Sequence, residues 1–287
     1  MMILSVKKTC LLQKKGTLVS KFTIDQNNSL YYEYEEGKLN TYTYVFVNAL
    51  TGNTSAWNGV IGKRVTDAGY GYLTYNFRGQ INSSFDERIN LTSEIIVSDL
   101  LKLIDHLNLK NIILCGLSIG GLYAAIASLE EIDVKGLVLI NTLRKPSPRL
   151  DWINRAMVNA AKLGGSALIM DMGMPVIASP KFLDKVKTNA LNFENYKPLK
   201  KNDGILKLME GSLSANWSFE WSKINIPTLV MTGHLDKMFR IPEDIEELEK
   251  KIKNSITIEL PNCGHLIPLE EPEVFSDHII NFANNLN

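Results

Sequence analysis

Residues 111–129 read NIILCGLSIGGLYAAIASL, a run that contains no charged side chain. Its length is close to the roughly 20 residues that a membrane-spanning helix needs. Gly116, Gly120 and Gly121 nevertheless divide the run into an apolar segment, a turn and a second apolar segment. This pattern predicts a buried strand that leads into a buried helix, and it argues against a membrane span.

The turn in this stretch, residues 116–120, has the sequence GLSIG and matches the pattern G-x-S-x-G. In this pattern a serine stands on a tight strand-to-helix turn, and the two glycines avoid collisions with neighbouring elements. The predicted strand before the turn and the predicted helix after it supply the required context. We therefore interpret Ser118 as a candidate nucleophile; the alternative is a glycine-rich turn that merely buries this serine.

A nucleophilic serine needs a general base and an acid that orients the base. Of the four histidines, His106 and His278 lie in predicted helices, whereas His234 and His265 follow predicted strands. His265 is the better candidate base because it lies in a turn-rich segment between a strand and the last helix. Asp236, just past another predicted strand, is the candidate acid, so the chain order is serine, acid, histidine.

Strands and helices alternate along most of the chain. The first 47 residues alternate polar and apolar side chains in short pieces, with turn signals at residues 26–28 and near Gly37, which indicates antiparallel strands. From residue 42 onward nearly all-apolar strands alternate with helical segments. This pattern is typical of an α/β fold, a mostly parallel central sheet with helices on both faces. We expect catalytic loops at the C-terminal ends of its strands.

The alternation stops at residues 143–222, a gap far longer than the roughly 2 to 6 residues usual for such connections. We predict that residues 143–222 form an inserted helical cap, with a helix at residues 151–163. Residues 1–142 and 223–287 then form the core domain.

Two groups of side chains stand out near the predicted cap. The insertion is rich in methionine, which either fills irregular gaps between helices or forms an adaptable apolar wall over a ligand pocket. These methionines are Met157, Met170, Met172, Met174 and Met209. A local basic patch is formed by Arg144, Lys145, Arg149 and Arg155, and we interpret it as a solvated face rather than an anion site.

The overall charge and the cysteines exclude several classes of protein. The 31 basic and 31 acidic side chains cancel, so no global field attracts nucleic acid or anionic lipid, and we expect neither as a partner. Cys10, Cys115 and Cys263 lie far apart and form no C-x-x-C pair, which argues against a disulfide framework or a zinc site. The N-terminal residues lack the apolar core of a signal peptide, so we expect a cytoplasmic protein. Self-association to a homo-oligomer is compatible with the neutral charge.

These features resemble the α/β-hydrolase family, specifically its cap-bearing members, over nearly the whole chain. Four segments carry the resemblance: GLSIGG (116–121) looks like the nucleophile elbow, GHLD (233–236) the acid loop, CGHLIPLEEP (263–272) the histidine loop, and NFRGQINSS (76–84) the arginine-glycine loop after the fourth strand. The resemblance implies a catalytic triad of Ser118, Asp236 and His265, and it makes the insertion a lid over the active site. It implies no cofactor.

The family also forms an oxyanion hole from two backbone N–H groups, one after the nucleophile and one in the loop after the third strand. The resemblance places these donors at Ile119 and Leu50. The common His-Gly of that loop is replaced here by Asn48-Ala49. Residues 48–52, NALTG, also resemble the corresponding loop of homoserine O-acetyltransferases, which share the fold.

The expected activity is that of a serine hydrolase that cleaves a carboxylic ester, thioester or lactone of a small to medium acyl compound through an acyl-enzyme on Ser118. Acyl transfer or cleavage of a carbon–carbon bond would use the same triad, and both stay open. Binding of a ligand without turnover is a further alternative, which the Asn48-Ala49 replacement favours. We expect no metal, because His234, Asp236 and His265 lack a fourth ligand.

Overall fold

The computed structural model describes residues 16–39 and 41–286. Its strands are β1 (Leu18–Thr23), β2 (Ser29–Glu35), β3 (Thr43–Val47), β4 (Gly71–Tyr75), β5 (Ile112–Leu117), β6 (Val134–Ile140), β7 (Thr228–Gly233) and β8 (Ser255–Leu260). They form one sheet in the order β1-β2-β4-β3-β5-β6-β7-β8. The pairs β1–β2 and β2–β4 are antiparallel and the other pairs are parallel, which confirms the predicted sheet. Cys10 lies outside the described residues.

Helices cover both faces of the sheet. They are α1 (Val60–Asp67), α2 (Ser93–His106), α3 (Ile119–Ala127), α4 (Pro148–Ile177), α5 (Pro180–Val186), α6 (Gly204–Ser212), α7 (Pro242–Glu249), α8 (Ile267–Glu270) and α9 (Pro272–Asn284). One core lies under α1 and α9 and includes Trp57 and Phe275. The other lies under α2, α3 and α7 and includes Leu100, Leu122 and Leu248. The sheet is therefore buried on both sides, as its apolar strands predict.

The connection between β6 and β7 contains α4, α5 and α6, so the predicted helical insertion is confirmed. Helix α4 is interrupted at Gly165, whose φ of 69° only glycine adopts readily. The helices α4 and α6 share a small core of their own, which includes Val158, Ala161 and Met209. The limits of the cap at residues 143 and 222 stay a prediction.

Helix α3 begins earlier than the sequence pattern indicates. The sequence predicts a helix from residue 122, because Gly120 and Gly121 resemble a turn. The helix instead begins at Ile119, directly after Ser118. Both glycines lie in the first turn of this helix. Neighbouring elements approach the helix so closely there that a side chain would not fit. A Cβ on Gly121 would lie 1.9 Å from the Thr142 hydroxyl oxygen.

None of the helices in the described residues is both long enough and apolar enough to cross a bilayer.

The close approach of α3 to β3 makes Gly120 a sensitive position. A Cβ there would lie 2.3 Å from the Asn48 carbonyl oxygen and 2.4 Å from that of Val47, and backbone cannot move aside as a flexible side chain can. We expect Gly120→Ala to lower the free energy of unfolding by about 3 kcal/mol. The control is Gly173→Ala in α4, where a Cβ meets nothing within 4 Å. This substitution should instead raise the free energy by about 0.5–1 kcal/mol. Urea unfolding of both variants measures the difference, and equal stabilities would contradict the packing described here.

Candidate active site

Ser118 occupies a strained turn between β5 and α3. Its φ of 58° and ψ of −121° place a side-chain-bearing residue in a region that such residues seldom adopt. The Ser118 N–H donates to the Ile140 carbonyl at 2.8 Å, which ties the turn to the end of β6. A Cβ on Gly116 would lie 2.3 Å from the Gly120 carbonyl oxygen, so the strand and the helix start touch directly. The turn has the geometry that the G-x-S-x-G pattern predicts.

His265 and Asp236 form a buried pair at the ends of β8 and β7. Their Nδ1 and Oδ2 atoms are 2.6 Å apart, and both side chains are almost completely buried. The other carboxylate oxygen accepts the N–H groups of Met238 and Phe239 at 3.1 and 2.9 Å.

Electrostatics keep Asp236 ionised despite its burial. Burial opposes ionisation of this carboxyl, but the His265 ring, the hydrogen bond from Phe239 and the charge of Arg144 outweigh it and hold its pKa below the usual value. A carboxylate can only accept hydrogen bonds, so His265 carries its proton on Nδ1. Its Nε2 is then left as the basic nitrogen.

Glu270 in α8 holds the backbone around His265. Its Oε2 accepts the N–H groups of Ser179 and Gly264 at 2.8 and 2.9 Å, and its Oε1 accepts the N–H of Leu266 at 3.0 Å. These bonds join the histidine loop to the residues that follow α4. Glu270 therefore fixes the position of the candidate base without touching its ring.

Asn141 connects three strand ends. This residue directly follows β6, and its Nδ2 donates to the carbonyl oxygens of Gly264 and His265 at 3.1 and 2.9 Å. Its Oδ1 accepts the N–H of Gly233, the last residue of β7, at 2.9 Å. The elements that carry the candidate acid and base are thereby locked to β6.

The C-terminal end of α4 also contacts both loops. The Ile177 carbonyl accepts the His265 N–H at 2.5 Å, and the Val176 carbonyl accepts the Lys237 N–H at 2.8 Å. The insertion is thus part of the frame that holds Asp236 and His265.

Ser118 and His265 line the same cavity, which has a volume of about 200 Å³. Leu50 and Ile119 line this cavity as well. Among the described residues, the N–H groups of Leu50 and Ile119 donate to no acceptor. Two free donors beside the serine are what an oxyanion hole requires.

Asn48 stabilises the loop that carries Leu50. Its Nδ2 donates to the Tyr75 carbonyl at 2.8 Å and to Gln80 Oε1 at 3.0 Å, and its Oδ1 accepts the Trp57 ring N–H at 2.7 Å. Gln80 in turn donates to the Leu50 carbonyl at 3.2 Å. The asparagine in place of the family's common histidine therefore anchors the loop and leaves the Leu50 N–H available.

A second cavity of about 230 Å³ adjoins the first. Met157, Met170 and Phe239 line both cavities, and Met172 and Met174 line the second. Of the two interpretations of the methionine-rich insertion, the structure thus supports an apolar wall beside the site for four of the five methionines. Met209 instead packs in the small core between α4 and α6.

Arg144 is the residue of this site that the sequence analysis misplaced. The prediction of a solvated basic face is wrong for Arg144, which is only 5% exposed and donates from Nη2 to Ser118 Oγ at 3.1 Å. The other three members do lie at the surface: Lys145 pairs with Glu247, Arg155 pairs with Asp151, and Arg149 donates to a backbone carbonyl. The position of Arg144, four residues after β6 ends, was a signal that it lies near the catalytic edge of the sheet.

Ser118 and His265 share no hydrogen bond in the described structure; the Ser118 hydroxyl accepts from Arg144 instead. Catalytic hydrogen bonds are often long in the absence of substrate and shorten only in the complex. Burial lowers the pKa of Arg144 to about 10, and the negative charge of Asp236 opposes this shift. Arg144 therefore carries its positive charge at neutral pH.

The other sequence candidates lie elsewhere. His234 contacts Glu259 at 2.8 Å, and the ring of His106 stacks on Phe22. His278 lies on α9. Arg78, in the arginine-glycine loop, is buried and binds Asp99 through two hydrogen bonds of 2.6 and 2.5 Å, so its guanidinium is paired within the fold.

Neither described cysteine competes with Ser118 as a nucleophile. Burial raises the pKa of the Cys263 thiol to about 12, and it raises that of Cys115 well above its usual value. Thiols that stay protonated at neutral pH are poor nucleophiles. Within the part of the chain that the structure describes, no three histidine, cysteine or acidic side chains are grouped to hold a metal ion.

Comparison with known proteins identifies the family. The family model described as the alpha/beta hydrolase fold matches residues 43–272, so the chain belongs to this family. A curated relative, 3-oxoadipate enol-lactonase 1 of Acinetobacter baylyi, is 25% identical over 87% of this chain and 91% of its own.

Solved structures agree on the fold. MGS-M2, an alpha/beta hydrolase enzyme from a Medee basin deep-sea metagenome library, matches with a TM-score of 0.82 at 23% identity, over 93% of this chain and 98% of its own. An esterase from Thermogutta terrifontis matches with a TM-score of 0.76 at 21% identity, over 93% of this chain and 98% of its own. The chain is thus an α/β hydrolase whose relatives include ester- and lactone-cleaving enzymes.

The adjacent carboxyl groups of Glu270 and Glu271 allow a matched test of the histidine loop. We expect Glu270→Gln to lower the free energy of unfolding by about 2 kcal/mol, because the new amide group faces backbone N–H groups that then lack an acceptor. The looser loop should also slow covalent labelling of Ser118 by a fluorophosphonate about tenfold.

The control is Glu271→Gln, which removes only a surface pair with Lys181. Its stability should stay within about 0.5 kcal/mol of the wild type. Thermal unfolding and labelling rates measure both effects. Equal behaviour of the two variants would show that Glu270 does not hold the loop.

Proposed function

We propose that this α/β hydrolase cleaves a carboxylic ester, thioester or lactone of a small acyl compound through an acyl-enzyme on Ser118. The observation that carries the proposal is the common cavity of Ser118 and His265, with the His265 ring held by the buried carboxylate of Asp236 at 2.6 Å. The name of the enol-lactonase relative and the esterase neighbour support an ester or lactone as the scissile group.

In the proposed acylation step, Ser118 Oγ attacks the acyl carbon while His265 Nε2 takes the hydroxyl proton. Asp236 holds the opposite side of the ring and stabilises the positive charge that develops on it. The N–H groups of Leu50 and Ile119 bind the oxyanion of the tetrahedral intermediate. His265 then gives its proton to the leaving oxygen or sulfur, and the acyl group stays on Ser118.

Deacylation repeats the same roles with water as the nucleophile. His265 takes a proton from water as its oxygen attacks the acyl carbon, and it returns that proton to Ser118 Oγ when the acid leaves. The two adjoining cavities, of about 200 and 230 Å³, suit a small to medium acyl compound. No contact in the site favours acyl transfer, carbon–carbon cleavage or ligand binding without turnover over hydrolysis. The cytoplasmic location and any self-association stay predictions from the sequence.

Fluorophosphonate labelling followed by intact-mass measurement tests this proposal without a known substrate. The wild type should gain one adduct at Ser118, and Ser118→Ala should gain none there. His265→Ala and Asp236→Asn should label at least about 10³ times more slowly, since each removes or misorients the base.

His234→Ala is the matched control, because His234 also follows a strand but binds Glu259 at the surface. It should label like the wild type. Absence of an adduct on the folded wild type, or equal labelling of the His265 and His234 variants, would refute the triad.

A further inference from the structure

Arg144 is a buried cation packed between two aromatic rings. Its Cζ lies 4.6 Å from the ring centroid of Trp217 and 4.6 Å from that of Phe239. Aromatic faces attract a guanidinium and hold it in one plane. The charged group is therefore fixed in the wall of the cavity that contains Ser118.

No carboxylate of the described residues pairs with this cation. Its hydrogen bonds go to the carbonyl oxygens of Asn141 and Thr142, at 2.8 and 3.3 Å, and to Ser118 Oγ. Asp236 acts on it electrostatically but is itself bound to His265. Among the described groups, none accepts a hydrogen bond from the Nη1 atom of Arg144.

Arg78 is a buried arginine elsewhere in the chain whose positive charge is neutralised by a carboxylate. Arg78 is 7% exposed, against 5% for Arg144, and it is fully paired with Asp99 through a two-pronged contact. Burial of an unpaired charge is strongly unfavourable unless another group compensates it. Arg144 faces a cavity where a ligand can supply the missing anion.

We propose that Arg144 is the subsite for a carboxylate on the substrate's acyl group, so that the enzyme prefers half-esters of dicarboxylic acids, or lactones that carry a carboxylate, over neutral esters. This inference rests on the proposed hydrolase function and specifies its substrate class. A guanidinium binds a carboxylate through two parallel hydrogen bonds. Nη1 is available for one of them, and Nη2 supplies the other when it exchanges its bond to Ser118 Oγ for the carboxylate.

The position of Arg144 also limits the length of the acyl group. Its Nη2 lies 3.1 Å from Ser118 Oγ, the attacking atom. A reacting carbonyl carbon sits about 3–3.5 Å from the nucleophile. Nη2 therefore lies at most about 6.6 Å from the scissile carbonyl carbon, which favours a short linker of about two or three carbons between that carbon and the carboxylate. Succinyl and glutaryl half-esters have this length.

The test compares two methyl esters of equal size and different charge: monomethyl glutarate, which carries a carboxylate, and the methyl ester of glutaric acid monoamide, which is neutral. The wild type should prefer the charged ester in kcat/KM by roughly 10- to 100-fold, mainly through KM, because the ion pair forms when the substrate binds. Arg144→Met should reduce this ratio to about one. Arg144→Lys should keep part of it, since it retains the charge but not the two-pronged contact.

Arg149→Met is the matched control, because Arg149 is an exposed member of the same basic segment whose side chain donates only to a backbone carbonyl. It should leave the ratio unchanged. A wild-type kcat/KM ratio of one or less for the charged over the neutral ester, or a ratio that Arg144→Met does not alter, would overturn the proposal. Arg144 would then serve only to stabilise its loop.

Two further measurements separate this inference from the proposed function. Fluorophosphonate labelling shows for each variant whether Ser118 is reactive; a labelled enzyme that cleaves both esters equally refutes only the carboxylate subsite. Isothermal titration of glutaric acid monoamide, which carries one carboxylate, and of the neutral diamide into the wild type needs neither turnover nor a folded variant. Binding of the monoamide at least tenfold tighter than the diamide supports the subsite, and equal binding contradicts it.

Discussion

Ser118 holds its unusual backbone conformation because β5 and α3, on either side of it, are packed too closely for a different conformation. Gly116 allows β5 and α3 to touch, Gly120 allows α3 to approach the end of β3, and the Ser118 N–H is bound to the end of β6. Strain of this kind persists only where the surrounding packing enforces it. The same packing places the Ile119 N–H beside the serine, so one constraint positions both the candidate nucleophile and one candidate oxyanion donor.

The remaining groups reach this point because parallel strands end at one edge of the sheet. Asn48 follows β3, Asn141 follows β6, and Asp236 and His265 lie in the loops after β7 and β8. Side chains that carry no chemistry of their own lock these loops together. The Asn141 amide binds three backbone groups, and the Glu270 carboxyl binds three more. The end of α4 adds the Ile177 carbonyl, so the insertion contributes to the geometry of the proposed triad as well as to the walls of the cavities.

The sequence predicts those parts of the site that depend on short-range patterns. Ser118 follows from its glycines, and His265 and Asp236 follow from their positions after apolar strands. Arg144 was misplaced because it stands next to Lys145 in a basic segment, although its position shortly after β6 was a signal. The aromatic rings of Trp217 and Phe239 that hold it come from distant segments, which no local pattern indicates. Asn48 is a similar case. The sequence shows only that the common histidine is absent, whereas the structure shows hydrogen bonds to Tyr75, Gln80 and Trp57 that no local pattern encodes.

We propose that the Ser118 hydroxyl and the N–H groups of Leu50 and Ile119 converge on one reacting carbonyl group, the hydroxyl on its carbon and the two N–H groups on its oxygen. A crystal structure of the protein phosphonylated by a fluorophosphonate tests this claim most directly, because the adduct resembles the tetrahedral intermediate. We expect the phosphorus to be bonded to Ser118 Oγ and its oxygen to lie about 2.7–3.1 Å from both backbone nitrogens. A phosphoryl oxygen that contacts neither N–H group, or an adduct on another side chain, would contradict it.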